Sequence, residues 1–160
     1  MTPLLQTLLA ALLLAGAGAG YPEQGPPRSW SGAWSGEGAV VGKCENGKVL
    51  FVDRGQGDDV PLGKATWSSA YCLDPETGKG TGVGEETTAD GDEIRMLIEV
   101  TIVWTSEAGG TWSEAETAIG GTGKFVAATG NSTTNGTFTA TSAGGITTVW
   151  QGTSTGTITY

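Results

Sequence analysis

The side chains best suited to chemistry in this sequence are its acids, seventeen Asp and Glu that all lie between positions 23 and 116. Glycosidases use two carboxyl groups, one as the general acid and the other as base or nucleophile. A pair of this kind could be drawn from five glutamates, Glu85, Glu86, Glu99, Glu114 and Glu116. Spacing does not select two of them, so the pattern allows acid–base chemistry without assigning it.

Other patterns for catalysis and cofactor binding fail. The chain has no His, so the usual base of a nucleophilic triad is missing. Residues 118–125 approach a phosphate-binding loop, but Ala118 and Phe125 stand where Gly and Ser or Thr are needed. Asp90-Gly91-Asp92 offers oxygen ligands for calcium, yet the helix-flanked loop spacing is absent and a hairpin turn with solvated acids is the simpler interpretation. We therefore expect no catalytic residue, no metal and no cofactor.

Six tryptophans are many for a chain of this length. Most Trp side chains belong to cores, but rings at a barrel mouth can also form an apolar pocket or stack on sugars. Trp34, Trp104 and Trp112 are the candidate ligand-binding residues, since each lies on or near a long predicted strand. Gly32-Ala33-Trp34 resembles the Gly-x-Trp of lipocalins, although the late Arg of that family is missing.

Residues 1–20 are typical of a secretory signal peptide, with an apolar run of 12 residues from Leu4 to Ala15 followed by small residues. A transmembrane helix needs about 20. A buried N-terminal helix is the alternative. We expect cleavage between Gly18 and Tyr21, and a secreted or periplasmic protein.

Charge and cysteine content bear on the partners and on the disulfide. The net charge of −9 disfavours nucleic acids and anionic membrane surfaces as partners. Two cysteines in an exported chain are most simply one disulfide, Cys44–Cys72, with two free buried thiols as the alternative.

Strand signals dominate after a Pro-rich linker at 21–29, so residues 30–160 are expected to form one all-β domain. Asn46-Gly47, Asp90-Gly91 and Asn135-Gly136 are dipeptides that favour hairpin turns. Reading outward from them predicts ten antiparallel strands and hence a single barrel of about eight to ten strands, or alternatively a sandwich. The predicted strands are 32–44, 48–54, 64–72, 81–88, 93–105, 110–119, 123–130, 136–142, 145–151 and 153–160.

The strand near 93–104 has the clearest register. Even-numbered residues from Ile94 to Trp104 are apolar and should face inward, whereas Glu93, Arg95, Glu99 and Thr101 should face solvent. The Gly- and Thr-rich stretch at 120–141 is punctuated by Phe125 and Phe138 at strand spacing. It too is predicted to form strands rather than disordered chain.

From Tyr71 onward the chain resembles small secreted bacterial proteins of uncharacterised function, and residues 121–130 resemble part of the allene oxide cyclase and dirigent type of β-barrel. The resemblance implies a barrel but carries over no catalytic residue, because no position matches a catalytic motif. The matching elements are Tyr71-Cys72, Asp90-Gly91-Asp92, the strand ending at Trp104, residues 120–125, Thr129-Gly130 and residues 152–160.

The sequence favours a binding module for a small apolar ligand over chemistry. The alternatives are a barrel cyclase or isomerase that uses pocket carboxylates, and a carbohydrate-binding β-sandwich. A cavity holding a pair of buried acids would favour the enzyme, and a flat row of exposed Trp would favour sugar binding. Asn131 and Asn135 begin glycosylation sequons, which matter only in a eukaryotic source.

Overall fold

A computed structural model describes residues 24–141 and 147–160. The predicted signal peptide at 1–20 lies outside the described residues. Eight antiparallel strands follow one another around a closed barrel, and the first pairs with the last. The strands are β1 (Arg28–Lys43), β2 (Val49–Val60), β3 (Gly63–Leu73), β4 (Lys79–Thr88), β5 (Glu93–Ser106), β6 (Gly109–Gly121), β7 (Thr129–Ala140) and β8 (Thr147–Thr159). The predicted antiparallel barrel is therefore confirmed, and the sandwich alternative is wrong.

Three details of the strand prediction are wrong. Residues 123–125 form a short 3-10 turn, so β7 begins at Thr129 instead of near 123. Asn135-Gly136 lies inside β7, paired with Thr153 and Gly152. The two strands predicted at the C-terminus are one strand, β8. The other two dipeptides do form turns, and Asn46 and Gly47 both have the positive φ angles that such turns need.

Space for aromatic rings explains why Asn135-Gly136 does not turn. Gly136 faces the barrel interior, where an added Cβ atom would lie 2.1 Å from the backbone oxygen of Gln151 on β8 and 2.7 Å from Nε1 of Trp112. The same relation holds between Gly84 on β4 and Trp67 on β3, with 2.1 Å between the added Cβ and the ring. Glycine inside these strands therefore makes room for tryptophan. At Asn135-Gly136 the glycine serves this packing and does not form a turn.

The two ends of the barrel differ. At one end, which we call the closed end, the interior is filled by the apolar side chains of Trp30, Ile94, Met96, Phe125 and Ile158, each at most 2% exposed. At the other end, the open end, β1, β3, β5 and β7 end and β2, β4, β6 and β8 begin. An antiparallel barrel of eight strands has an interior just wide enough to be filled by side chains or to hold one small ligand.

The predicted register of β5 is confirmed over most of its length. Ile94, Met96, Ile98 and Val100 are buried, and Arg95 and Glu99 are exposed. The prediction is wrong for Trp104, which is 48% exposed because β5 reaches the rim of the open end there.

The predicted disulfide is confirmed. Cys44 and Cys72 are bonded with their Cα atoms 5.9 Å apart, which joins the β1–β2 connection to the end of β3. A disulfide is typical of proteins that fold outside the cytoplasm. None of the described residues belongs to a helix with the length and apolar character that crossing a membrane requires.

Candidate functional site

The open end of the barrel contains a cavity of about 400 Å³. It is lined by inward-facing residues from seven strands, since alternate residues of each strand face the interior. Apolar side chains such as Val40, Val100 and Ile102 form part of the wall. The aromatic side chains in the wall are Phe51, Trp67, Tyr71, Trp104, Trp112, Phe138 and Trp150.

Two of the three tryptophans singled out from the sequence meet at this cavity. Trp104 stands at the rim, where its ring packs edge-on against Phe138 with centroids 4.7 Å apart. Trp112 lies deeper and packs edge-on against Trp150, with centroids 5.7 Å apart. Trp34 does not line this cavity. Its indole Nε1 donates a hydrogen bond of 3.2 Å to Ser154 Oγ in the middle of the barrel.

Asp53 places a carboxyl group in the wall of the cavity. It follows Phe51 on the inward face of β2 and accepts a hydrogen bond of 3.4 Å from Ser69 Oγ. Burial raises the pKa of Asp53 to about 6, although Tyr71, Ser69 and Trp150 lower it in part. The Trp150 indole N–H is close enough for that small effect but makes no hydrogen bond of good geometry.

Glu114 supplies the second carboxyl group, from the inward face of β6 two residues after Trp112. It is 5% exposed, and in the described part of the chain neither a hydrogen bond nor an ion pair reaches its carboxyl group. Burial raises its pKa well above the usual value, and the nearby charges of Glu116 and Asp53 raise it further. Asp53 and Glu114 together raise the pKa of the Tyr71 hydroxyl, after burial itself.

Three more acids are buried below the cavity, around a small space of about 20 Å³. Glu116 accepts hydrogen bonds from Ser132 and Thr134, the latter 2.6 Å long, and Asp59 accepts one from the Trp30 indole. Glu86 is 1% exposed, and its Oε1 has no partner among the described residues. Burial raises the pKa of Asp59 to about 6 and that of Glu86 to about 9, and it also raises that of Glu116.

Glu114 is the one of the five candidate glutamates that lines the larger cavity. Glu86 and Glu116 lie below it, while Glu99 faces solvent and Glu85 pairs with Arg95 outside the barrel. Asp53 and Tyr71 were missed by sequence reasoning. The alternation of the predicted strand near 48–54 could have placed Asp53, since it shares a face with Phe51.

The acidic turn considered for calcium is occupied by the protein itself. Lys124 Nζ lies 2.7 Å from Asp90 Oδ2, and the Lys124 backbone N–H donates to Asp92. Within residues 24–141 and 147–160, His, Cys, Asp and Glu form no group of three placed to hold a metal ion. Asn131 and Asn135 of the two sequons are exposed on the outer face of β7.

Comparisons with known proteins give no relative: no family model matches the sequence, and no curated protein or solved structure is significantly similar to it. The class of protein defined by fold and site is therefore an eight-stranded antiparallel barrel with an aromatic cavity at one end.

Proposed function

We propose that the protein binds a small, mostly apolar molecule in the cavity at the open end of the barrel. The observation that carries the proposal is the cavity itself, about 400 Å³ in volume and walled by seven aromatic side chains. Ligand sites for small molecules are concave, mostly apolar and provided with a few polar groups. Here the polar groups are Asp53, Glu114 and Tyr71.

Location and partners complete the proposal. We propose export to a secreted or periplasmic location, which the disulfide and the N-terminal sequence support. We also propose that the protein is related to the small secreted bacterial barrels and to the allene oxide cyclase and dirigent type that its sequence resembles.

A carbohydrate is the less favoured ligand. All six tryptophans lie within the described residues, and Trp104 alone among them is strongly exposed, so no flat row of rings faces solvent.

Binding can be tested with N-phenyl-1-naphthylamine, an uncharged apolar fluorophore that brightens in apolar surroundings. Wild-type protein should enhance and blue-shift its emission. Ile102→Trp places a large ring in the cavity wall and should weaken binding by at least about tenfold, which corresponds to 1.4 kcal/mol.

Val103→Trp is the matched control, because the neighbouring residue is exposed on the outside of the barrel. It adds the same side chain without entering the cavity and should leave the affinity unchanged. Wild-type protein that does not enhance the fluorescence, or equal losses in both variants, would contradict a site in this cavity.

Acid–base catalysis is a second candidate function, and a specific observation favours it. Asp53 and Glu114 are a pair of buried acids in the wall of the cavity. Such a pair is the feature that favours an enzyme over a binding protein. A group with a pKa of about 6 can act as a base near neutral pH, and a carboxyl group with a raised pKa can act as an acid.

Proton transfer by this pair would exchange carbon-bound hydrogens of a bound ketone. The ketone 4-phenyl-2-butanone in D2O, followed by proton NMR, provides the measurement. Exchange that is faster with wild-type protein and lost in Asp53→Asn and Glu114→Gln would establish an enzyme. Binding without exchange would leave the binding function alone.

A further inference from the structure

The charged groups that line the cavity are all negative. Asp53 and Glu114 are its ionisable acids, and none of the eight Lys and Arg side chains, all of which lie in described parts of the chain, reaches the wall. Residues 142–146 contain no Lys or Arg either. The protein therefore supplies no cation of its own to these two carboxyl groups.

Hydrogen bonding leaves the two carboxyl groups incompletely matched. Glu114 is at least nine-tenths buried, lines the cavity and receives no hydrogen bond from any described residue. The hydrogen bond from Ser69 to Asp53 is long at 3.4 Å, and the Tyr71 hydroxyl also interacts with Asp53 and lowers its pKa. A carboxyl group without a protein partner stays protonated, is solvated by water in the cavity, or meets a cation. The cavity leaves room for that cation beside both groups.

The surrounding rings favour the same kind of ligand. Trp67, Trp112 and Trp150 line the cavity wall, and Phe51 stacks on Tyr71 with centroids 5.4 Å apart. The faces of aromatic rings attract organic cations, most strongly where water is excluded. An acidic protein also draws cations toward it in solution.

We propose that the ligand of this cavity is an organic amine, whose ammonium group lies between Asp53 and Glu114 and whose apolar part packs against the aromatic wall. This inference rests on the proposed binding function and adds the chemical class of the ligand.

The protonation of the cavity acids suits a ligand that carries a positive charge. With a pKa of about 6, Asp53 is mostly ionised at neutral pH, whereas burial raises the pKa of Glu114 and so disfavours its charged form. Tyr71 and Glu116 are the other titratable groups that act on this pair, and the pKa of each is raised by burial. Asp53 therefore offers a negative charge to a ligand that carries one ammonium group.

The test compares three probes of similar size, 2-phenylethylamine, 2-phenylethanol and phenylacetate, by isothermal titration calorimetry at pH 7.5. We expect the amine to bind at least about tenfold more tightly than the alcohol, since hydrogen bonds to charged groups are stronger than those between neutral groups. Phenylacetate should bind most weakly, because its carboxylate would face two acids.

Substitution of the two cavity acids tests whether they cause the preference for the amine. Asp53→Asn and Glu114→Gln should each reduce the affinity for the amine while changing the affinity for the alcohol by less than about threefold, and Asp53→Asn should remove the preference for the amine. Retained binding of the alcohol shows that these variants still form the cavity. Glu99→Gln removes the same charge from an exposed position and should leave all three affinities unchanged.

An alcohol that binds as tightly as the amine would overturn the inference, as would an amine affinity that survives both substitutions. The naphthylamine probe separates this failure from that of the proposed function. If the probe still binds and is expelled by Ile102→Trp, the cavity binds apolar molecules and the amine inference alone is lost.

Discussion

Five buried carboxyl groups, Asp53, Asp59, Glu86, Glu114 and Glu116, share one barrel interior, and burial raises the pKa of each. The unfolded chain exposes them, so it loses their protons at lower pH than the folded chain does. The free energy of unfolding must therefore fall as pH rises above about 4, the ordinary pKa range of these acids. Asp90, whose pKa hydrogen bonds with Lys124 and Thr88 lower to about 2, acts in the opposite direction below that range.

We predict that the protein is most stable near pH 4 to 5 and loses stability up to about pH 9. Glu86→Gln should remove part of this slope, because an amide needs no proton to remain neutral. It should raise the free energy of unfolding by roughly 2 to 4 kcal/mol at pH 9 and by much less at pH 4.5.

Urea unfolding at several pH values provides the measurement. Glu85→Gln is the control, since the adjacent residue is only partly buried and pairs with Arg95 outside the barrel. Parallel stability curves for Glu86→Gln and wild type would show that Glu86 is ionised in the folded protein.

Strands in this barrel combine large rings with glycines on adjacent strands. Trp67 on β3 lies against Gly84 on β4, and Trp34 on β1 lies against Gly57 on β2. A narrow barrel cannot accommodate six tryptophans unless other inward-facing positions are small. Glycine in these strands thus serves packing, which outweighs its low strand propensity.

Gly84→Ala should lower the free energy of unfolding by about 1 to 3 kcal/mol, because the new methyl group would lie 2.1 Å from the Trp67 ring. Gly42→Ala is the matched control in β1. Its added Cβ atom would be 3.8 Å from the nearest atoms, so its effect should stay within about 0.5 kcal/mol. Chemical unfolding compares the two, and similar losses would contradict the packing explanation.

The strands differ in how well the sequence alone predicts which residues face the interior of the barrel. Alternation predicted the inward face of β5 correctly from Ile94 to Val100, because one side of that strand is wholly apolar there. The turn predicted at Asn135-Gly136 is wrong because a local dipeptide preference cannot reveal that Gly136 lies beneath Trp112, which is distant in sequence. Asp53 was missed for a related reason. Alternation could place Asp53 on the inward face, but its proximity to Tyr71 and Glu114 follows only from strand pairing and closure of the barrel.

The whole barrel is fastened at its open end by the Cys44–Cys72 disulfide, whose half-cystines are 28 residues apart. A covalent link of this length restricts the unfolded chain and leaves the pairing of β1, β2 and β3 intact. The closed end is stabilised differently, by apolar packing around Phe125.

Replacing both cysteines by serine should lower the free energy of unfolding by about 3 to 4 kcal/mol on the chain-entropy model. Urea unfolding with and without reductant gives the measurement. Reductant should destabilise wild type by a similar amount and leave the double variant unaffected. A double variant as stable as the oxidised wild type would show that the link adds nothing to folding.

The fully buried Phe125 and its neighbours also have a kinetic consequence. Since they block the barrel axis, a molecule in the cavity must leave by the route through which it entered. A side chain that obstructs this route without touching the bound molecule raises the same barrier in both directions. Changing the size of such a side chain would alter the association and dissociation rate constants of the ligand by the same factor. The equilibrium affinity would stay the same.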